Sequence, residues 1–309
     1  MPDTQSTCST TTNSAAGTPA QSAAHPADRL LDAFDRIGAP ICVGLDPVVE
    51  RTPAAIAEGD PASRILRFSL GVLDAIRPFV ACVKFQSACY ERWGPPGVAA
   101  LHEACSAARS HGFEVILDAK RGDIGISAEH YAAASRGHDA DWTTINGYLG
   151  ADGILPFLAQ GSERSAGAFV LVRTSNPSGD AFQSLRIADG RTVAEAMADL
   201  VASLGASSIG RRRTSALGAV VGATKRSDAA QLRARMPDQI FLVPGYGAQG
   251  GGVDDVLPSF RADGTGAIVT ASRSVLYPQA QTKGGDWTGA VARAAEAFHR
   301  DIRTGLGRS

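Results

Sequence analysis

The chain has almost no net charge, no long apolar run and no paired-cysteine motif, and each shortage narrows what it can be. Lys and Arg number 30 against 31 Asp and Glu, a formal net charge of -1, so no overall field gathers nucleic acid or anionic lipid. Any anion must be held by a local cluster of donors, which points to a small-molecule partner. No apolar stretch approaches the length of a membrane span, and the N-terminus lacks the basic start and apolar core of a secretory signal. Cys8, Cys42, Cys82, Cys89 and Cys105 contain no Cys-x-x-Cys and lie mostly in apolar runs, which reads as reduced thiols in a cytoplasmic protein. None has an activating histidine beside it, and the six histidines form no metal-ligand pair.

What is present is a globular composition, 44% hydrophobic and 20% charged over 309 residues. Residues 1–25 are Ser, Thr, Ala, Pro and Gln with almost no large apolar side chain, so they read as a disordered tail. From residue 26 to 309, short apolar runs alternate with amphipathic segments, the pattern of a parallel sheet wrapped by helices. The runs are Pro40–Leu45, Phe79–Phe85, Glu114–Leu117, Trp142–Ile145, Ala168–Val172, Gly218–Val221, Gln239–Val243 and Gly266–Val269. Helices are predicted at Pro61–Ile76, Pro96–Ser110, Ser127–Ser135, Ala151–Ala159, Thr192–Leu204, Ser227–Met236, Val253–Leu257 and Asp286–Ile302. An open doubly wound sheet would carry Gly-x-Gly-x-x-Gly after its first strand, and that is missing. The expected fold is therefore α/β, a single-domain (β/α)8 TIM barrel, which needs about 250 residues. Ala27–Ile37 forms a short N-terminal helix closing its bottom, and Asn176–Arg191 forms an excursion over its top.

Reacting groups in such barrels come from the carboxyl ends of the strands. Here Asp46 ends the first run, Lys84 the second, Asp118 and Lys120 the third, Asn146 the fourth, Thr174 and Ser175 the fifth and Thr224 the sixth, while Arg273 follows the eighth. The third is the most informative. Residues two apart in a strand share a face, so Asp118 and Lys120 project together, and Gly122 lets the chain turn toward Asp123. Unrelated salt bridges would not keep choosing the same strand end. After the seventh run, Pro244 to Gly252 is rich in glycine, which lets backbone N–H groups approach an anion. Thr270-Ala271-Ser272-Arg273 follows the eighth run, so Arg273 and Gln249 become candidate phosphate ligands.

These residues coincide with a known family. The chain resembles orotidine 5'-phosphate decarboxylase, in particular its longer bacterial branch (type 2), over roughly Ala27 to Gly305. The likeness rests on Val43-Gly44-Leu45-Asp46-Pro47, Val83-Lys84-Phe85, Leu117 to Ile124, Val221-Gly222-Ala223-Thr224, Pro244 to Gly251 and Ser272-Arg273. The resemblance implies a catalytic array of Lys84, Asp118, Lys120 and, from the other subunit of a homodimer, Asp123. It implies that Asp46 and Lys84 hold the ribose hydroxyls, with Ile124 and Ser127 arriving alongside Asp123. It places Ser175 and Pro244 by the base, Gln249 between base and phosphate and Arg273 on the phosphate, and counts Ser272 among the substrate-binding residues. One departure is Asn146-Gly147-Tyr148, where the family pattern has Asn-Pro-Tyr and a glycine is expected to loosen the loop. Arg211-Arg212-Arg213 has no counterpart and reads as a solvated helix end.

The implied activity is loss of CO2 from orotidine 5'-phosphate to give UMP, the last step of de novo pyrimidine synthesis, with no cofactor or metal and Lys120 as proton donor to C6. Membranes and nucleic acid have no part in it. Three other readings stay open. A Mg2+-dependent phosphosugar decarboxylase shares the Asp-x-Lys-x-x-Asp spacing but needs a carboxylate-rich shell, whereas this site carries two lysines. A non-catalytic nucleotide-binding barrel would keep the phosphate loops alone. A Schiff-base aldolase would need Lys120 neutral, which flanking carboxylates oppose.

Overall fold

The computed structural model describes residues 24–158, 165–223, 226–247, 252–278 and 285–308. Eight parallel strands close into a barrel in sequence order. They are β1 (Ile41–Leu45), β2 (Cys82–Gln86), β3 (Glu114–Arg121), β4 (Trp142–Ile145), β5 (Gly167–Arg173), β6 (Leu217–Val221), β7 (Phe241–Pro244) and β8 (Ala267–Ala271). The closing pair sets Ile41 against Val269 and Val43 against Ala271. The expected (β/α)8 barrel is the fold.

Alternation along the strands sorts the core into two shells. Val43, Leu45, Val83, Phe85, Val115 and Leu117 face outward and pack against the helices. Cys42, Cys82, Ile116, Trp142, Phe169, Leu242 and Ile268 face inward and fill the barrel. Helix α1 (Pro26–Ile37) caps the lower opening by adding Leu30, Leu31 and Phe34 to that inner cluster. Its Arg29 reaches Asp141 at 3.1 Å, and Asp141 in turn accepts from the Val115 N–H at 2.9 Å. The predicted tail falls almost wholly outside the described residues, which begin at residue 24.

The outer helices are α2 (Pro61–Ile76), α3 (Ser87–Glu91), α4 (Gly94–Ser110), α5 (Gly125–Gly137), α6 (Ala151–Ile154), α7 (Asp180–Gln183), α8 (Val193–Gly205), α9 (Arg226–Arg235), α10 (Val253–Val256), α11 (Arg273–Leu276) and α12 (Trp287–Gly305). Helix α2 begins where Asp60 accepts from the Ser63 N–H and Pro61 takes the first helical position, which has no N–H to satisfy. Its Ile65, Phe68, Val72, Leu73 and Ile76 recur at helical spacing and are buried. Among the described residues, no helix is long and apolar enough to cross a membrane.

Two expectations are corrected. Arg211 and Arg212 do not form a solvated helix end. Their backbone N–H groups donate to Asp28 and their guanidinium groups pair with Asp32, binding the turn before β6 to α1. Nor does Gly147 loosen its loop. A Cβ there would lie 2.7 Å from both Met197 Sδ and Val170 Cγ1, so the glycine permits close packing.

Candidate active site

Continuing the inward face upward from Cys82, Ile116 and Trp142 replaces apolar side chains by Lys84, Asp118 and Thr144, at the carboxyl end of the sheet. There three of the four residues of the expected array, Lys84, Asp118 and Lys120, come together with Asp46. Lys84 Nζ lies 2.8 Å from Asp118 Oδ2 and 3.5 Å from Asp46 Oδ1, while Lys120 Nζ lies 2.5 Å from Asp118 Oδ1. Gln86 adds an amide donor to Asp118 Oδ2 at 3.2 Å, and Thr144 a hydroxyl to Oδ1 at 2.7 Å. The Asp118 side chain is 9% exposed and that of Lys120 45%, so the aspartate is fixed below and the lysine opens to the mouth.

Strand β3 reaches this geometry by departing from regularity. Leu117 pairs with Thr143 but Arg121 with Ile145, so four steps on β3 face two on β4. Lys120, inside that irregularity, takes a left-handed backbone with φ of 47°.

Burial opposes ionisation of both buried partners, and their mutual charges override it. For Lys84 the desolvation that would lower its pKa is outweighed by Asp46 and then Asp118, leaving the ammonium above its ordinary value. For Asp118 burial pushes upward, but Lys84 and then Lys120 hold the carboxyl well below the usual carboxylate range. The site is thus a fixed ion cluster, with both Asp118 oxygens committed to donors.

Of the other expected residues, those described lie on or after the carboxyl ends of the strands. Asp123, Ile124 and Ser127 follow β3 into α5, with Ile124 56% exposed. Asp123 Oδ1 accepts from the Ile124 N–H, and among the described residues Asp123 makes no bond to Lys84, Asp118 or Lys120. Across the mouth, Pro244 ends β7 and Ser272 precedes α11, whose first residue, Arg273, is exposed. A Cβ on Gly44 would fall 2.0 Å from Ser272 Oγ, so any larger residue there would displace the serine hydroxyl. Gly222 stands likewise against Ser175, whose Cβ and N lie 2.9 Å from the position a Cβ would take. Gln249 and Thr224 lie outside the described residues.

Four residues were not anticipated. Gln86 and Thr144 share the inward face of their strands with named residues, a signal that alternation alone supplies. Tyr277 accepts the Val48 N–H at 2.8 Å, joining the β1 and β8 loops. Arg173, buried at the end of β5, reaches Asp180 on α7 and Asp228 on α9, each at 2.7 Å, and so anchors the excursion over residues 176–191. A groove of about 520 Å3 between α2 and α4, lined by Asp60, Leu66, Trp93 and Glu103, lies apart from the ion cluster. Its lining brings together no comparable set of converging charges, so the mouth of the barrel is the candidate site.

A closed parallel barrel with paired lysines and a carboxylate at the carboxyl ends of its strands defines a (β/α)8-barrel enzyme. The model of the orotidine 5'-phosphate decarboxylase / HUMPS family matches residues 39–282. Curated relatives named orotidine 5'-phosphate decarboxylase are 40% identical in Rhodopirellula baltica, over 266 residues covering 81% of this chain and 88% of that one, and 40% identical in Deinococcus radiodurans, over 270 residues covering 86% and 93%. The solved structure of Leishmania donovani OMP decarboxylase superposes with a TM-score of 0.72 at 29% identity, covering 91% of this chain and 99% of that one. The chain belongs to the orotidine 5'-phosphate decarboxylase / HUMPS family and is a carboxy-lyase.

Proposed function

We propose that the protein converts orotidine 5'-phosphate to UMP and CO2, the last step of de novo pyrimidine synthesis, in the cytoplasm and without a cofactor. The observation that carries this reading is the Lys120 ammonium, held 2.5 Å from Asp118 at the open mouth of the barrel. Breaking the bond between C6 and the carboxylate leaves an electron pair on C6. A neighbouring cation stabilises that charge, and Lys120 then donates a proton to C6, becoming neutral until solvent reprotonates it. Two unit charges about 4 Å apart interact by roughly 4 kcal/mol at an effective dielectric near 20, so Lys120 contributes materially but does not supply the whole acceleration.

In this reading Asp46 and Lys84 hold the ribose hydroxyls and Asp118 orients both lysines. Ser175 and Pro244 meet the base, Gln249 joins base to phosphate, and Ser272 with Arg273 binds the phosphate. The unit is residues 26–309 acting as a homodimer, in which Asp123 of one protomer, with Ile124 and Ser127, completes the neighbouring site. Ile124, Ile126, Tyr148, Leu149 and Leu155, large apolar side chains exposed on adjoining elements, suit burial against a second copy.

The test is the fall in ultraviolet absorbance of orotidine 5'-phosphate incubated with purified protein in EDTA, beside Lys120→Ala. Conversion by the wild type alone supports the proposal. Activity that needs added Mg2+ favours the metal-dependent reading, and UMP binding without any conversion favours a non-catalytic barrel.

A further inference from the structure

We infer that Thr144 is a positioning residue of the Lys84–Asp118–Lys120 array, setting where the Lys120 ammonium stands; the inference rests on the decarboxylase reading. One atom makes the connection. Thr144 Oγ1 donates to Asp118 Oδ1 at 2.7 Å and accepts from the backbone N–H of Lys120 at 3.0 Å. It therefore grips the side chain of one member of the pair and the main chain of the other.

The backbone of Lys120 needs that grip. Left-handed backbone is unfavourable for a lysine, and such a residue persists only where its surroundings hold it. The register between β3 and β4 slips between Leu117 and Arg121, leaving the Lys120 N–H without a regular ladder partner. The Thr144 hydroxyl takes that proton instead. On the other side, Asp118 Oδ2 receives Lys84 and Gln86 while Oδ1 receives Lys120 and Thr144. Thr144 is thus the neutral donor on Oδ1, as Gln86 is on Oδ2, and of the two it alone also holds the Lys120 main chain. It is 1% exposed and lies on the inward face of β4, two residues before Asn146, below the lysine it steers.

The hypothesis separates from a simple packing role because valine has nearly the shape of threonine but neither bonds to Asp118 nor accepts from Lys120. Thr144→Val should lower kcat roughly 10- to 100-fold, the scale of a small misplacement of a reacting group, with KM for orotidine 5'-phosphate within about twofold of wild type. Thr144→Ser, which keeps the hydroxyl, should recover kcat to within about threefold. Thermal melting of both variants shows that the barrel is folded, and if the valine variant does not fold, the serine variant and Thr144→Cys, a weak donor of similar size, are compared instead. Unchanged kcat in Thr144→Val or Thr144→Cys, or a serine variant as impaired as its apolar counterpart, overturns the inference while leaving the decarboxylase reading intact. A wild type that does not turn over overturns both.

Discussion

The N–H of Val48, two residues after Asp46, donates to the phenol oxygen of Tyr277, four residues after Arg273, across 2.8 Å. One bond therefore ties the loop that carries Asp46 to the segment that carries Arg273. Tyr277 also stacks on Phe68 and has the Arg51 guanidinium over its ring, and burial pushes its phenol up to about 12, so it remains an uncharged acceptor through the neutral range. Tyr277→Phe keeps the stack and removes the acceptor. The expected result is a loss of about 1 kcal/mol in urea unfolding, with a raised KM and little change in kcat.

Arg173 should matter through the excursion it anchors. Arg173→Met preserves bulk and breaks both ion pairs. Because Asp180 and Asp228 are 48% and 37% exposed, they rehydrate, and the cost is expected to stay near 1–2 kcal/mol. Limited proteolysis between residues 176 and 191 should quicken. Cleavage at the wild-type rate would show that the excursion is held by other contacts.

Lys120 and Arg273 are expected to fail differently. If the ammonium acts at the reacting carbon as proposed, Lys120→Ala should retain UMP binding while abolishing turnover. Arg273→Ala should raise KM steeply by removing a charge-assisted clamp. Calorimetric titration with UMP, run beside steady-state rates, separates the two. Equal losses of affinity with intact kcat in both variants would contradict the division.

The ion cluster also predicts how stability responds to pH. Asp118 is depressed in the folded state, so its contribution is complete above the unfolded carboxylate value of about 3.9 and shrinks as pH falls below it. Lys84 is raised, so its contribution holds below about 10.4 and is lost as pH rises beyond. Between about pH 5 and 9 the difference in unfolding free energy between wild type and Asp118→Asn should be flat. A slope inside that window would mean that the pair is not ionised as the geometry requires.

If Asp123 serves the neighbouring site, defects in different subunits should complement. Lys120→Ala and Asp123→Asn homodimers should each be nearly inactive, and mixing them through an unfolding and refolding cycle should restore activity, because one of the two sites in a mixed dimer is whole. Ile126→Asp with Tyr148→Asp should shift sedimentation toward the monomer and remove the effect.

The barrel was legible because alternation and helical spacing repeat. Trp142–Ile145 and Pro61–Ile76 have their expected bounds, and each apolar run became a strand. The third strand continues past the apolar run that ends at Leu117 as far as Arg121, an extension the sequence does not show because a register slip leaves no trace in composition. That slip is what brings Thr144 onto Lys120. Arg173 was invisible for a different reason, since a lone arginine at a strand end shows nothing of the aspartates that approach it from α7 and α9. Among the described residues Asp123 makes no bond to the array of its own protomer, and the role proposed for it in a neighbouring site rests on sequence likeness alone.

The left-handed backbone at Lys120 bears on how such a chain can drift. Glycine and asparagine occupy that conformation at little cost, whereas lysine does so against a penalty of about 1–3 kcal/mol. A population of this protein maintained where pyrimidines are supplied, and screened only for soluble expression, should therefore accumulate Lys120→Gly and Lys120→Asn early. The residue to which the proposed chemistry gives the proton transfer is among the first that selection for folding alone would discard.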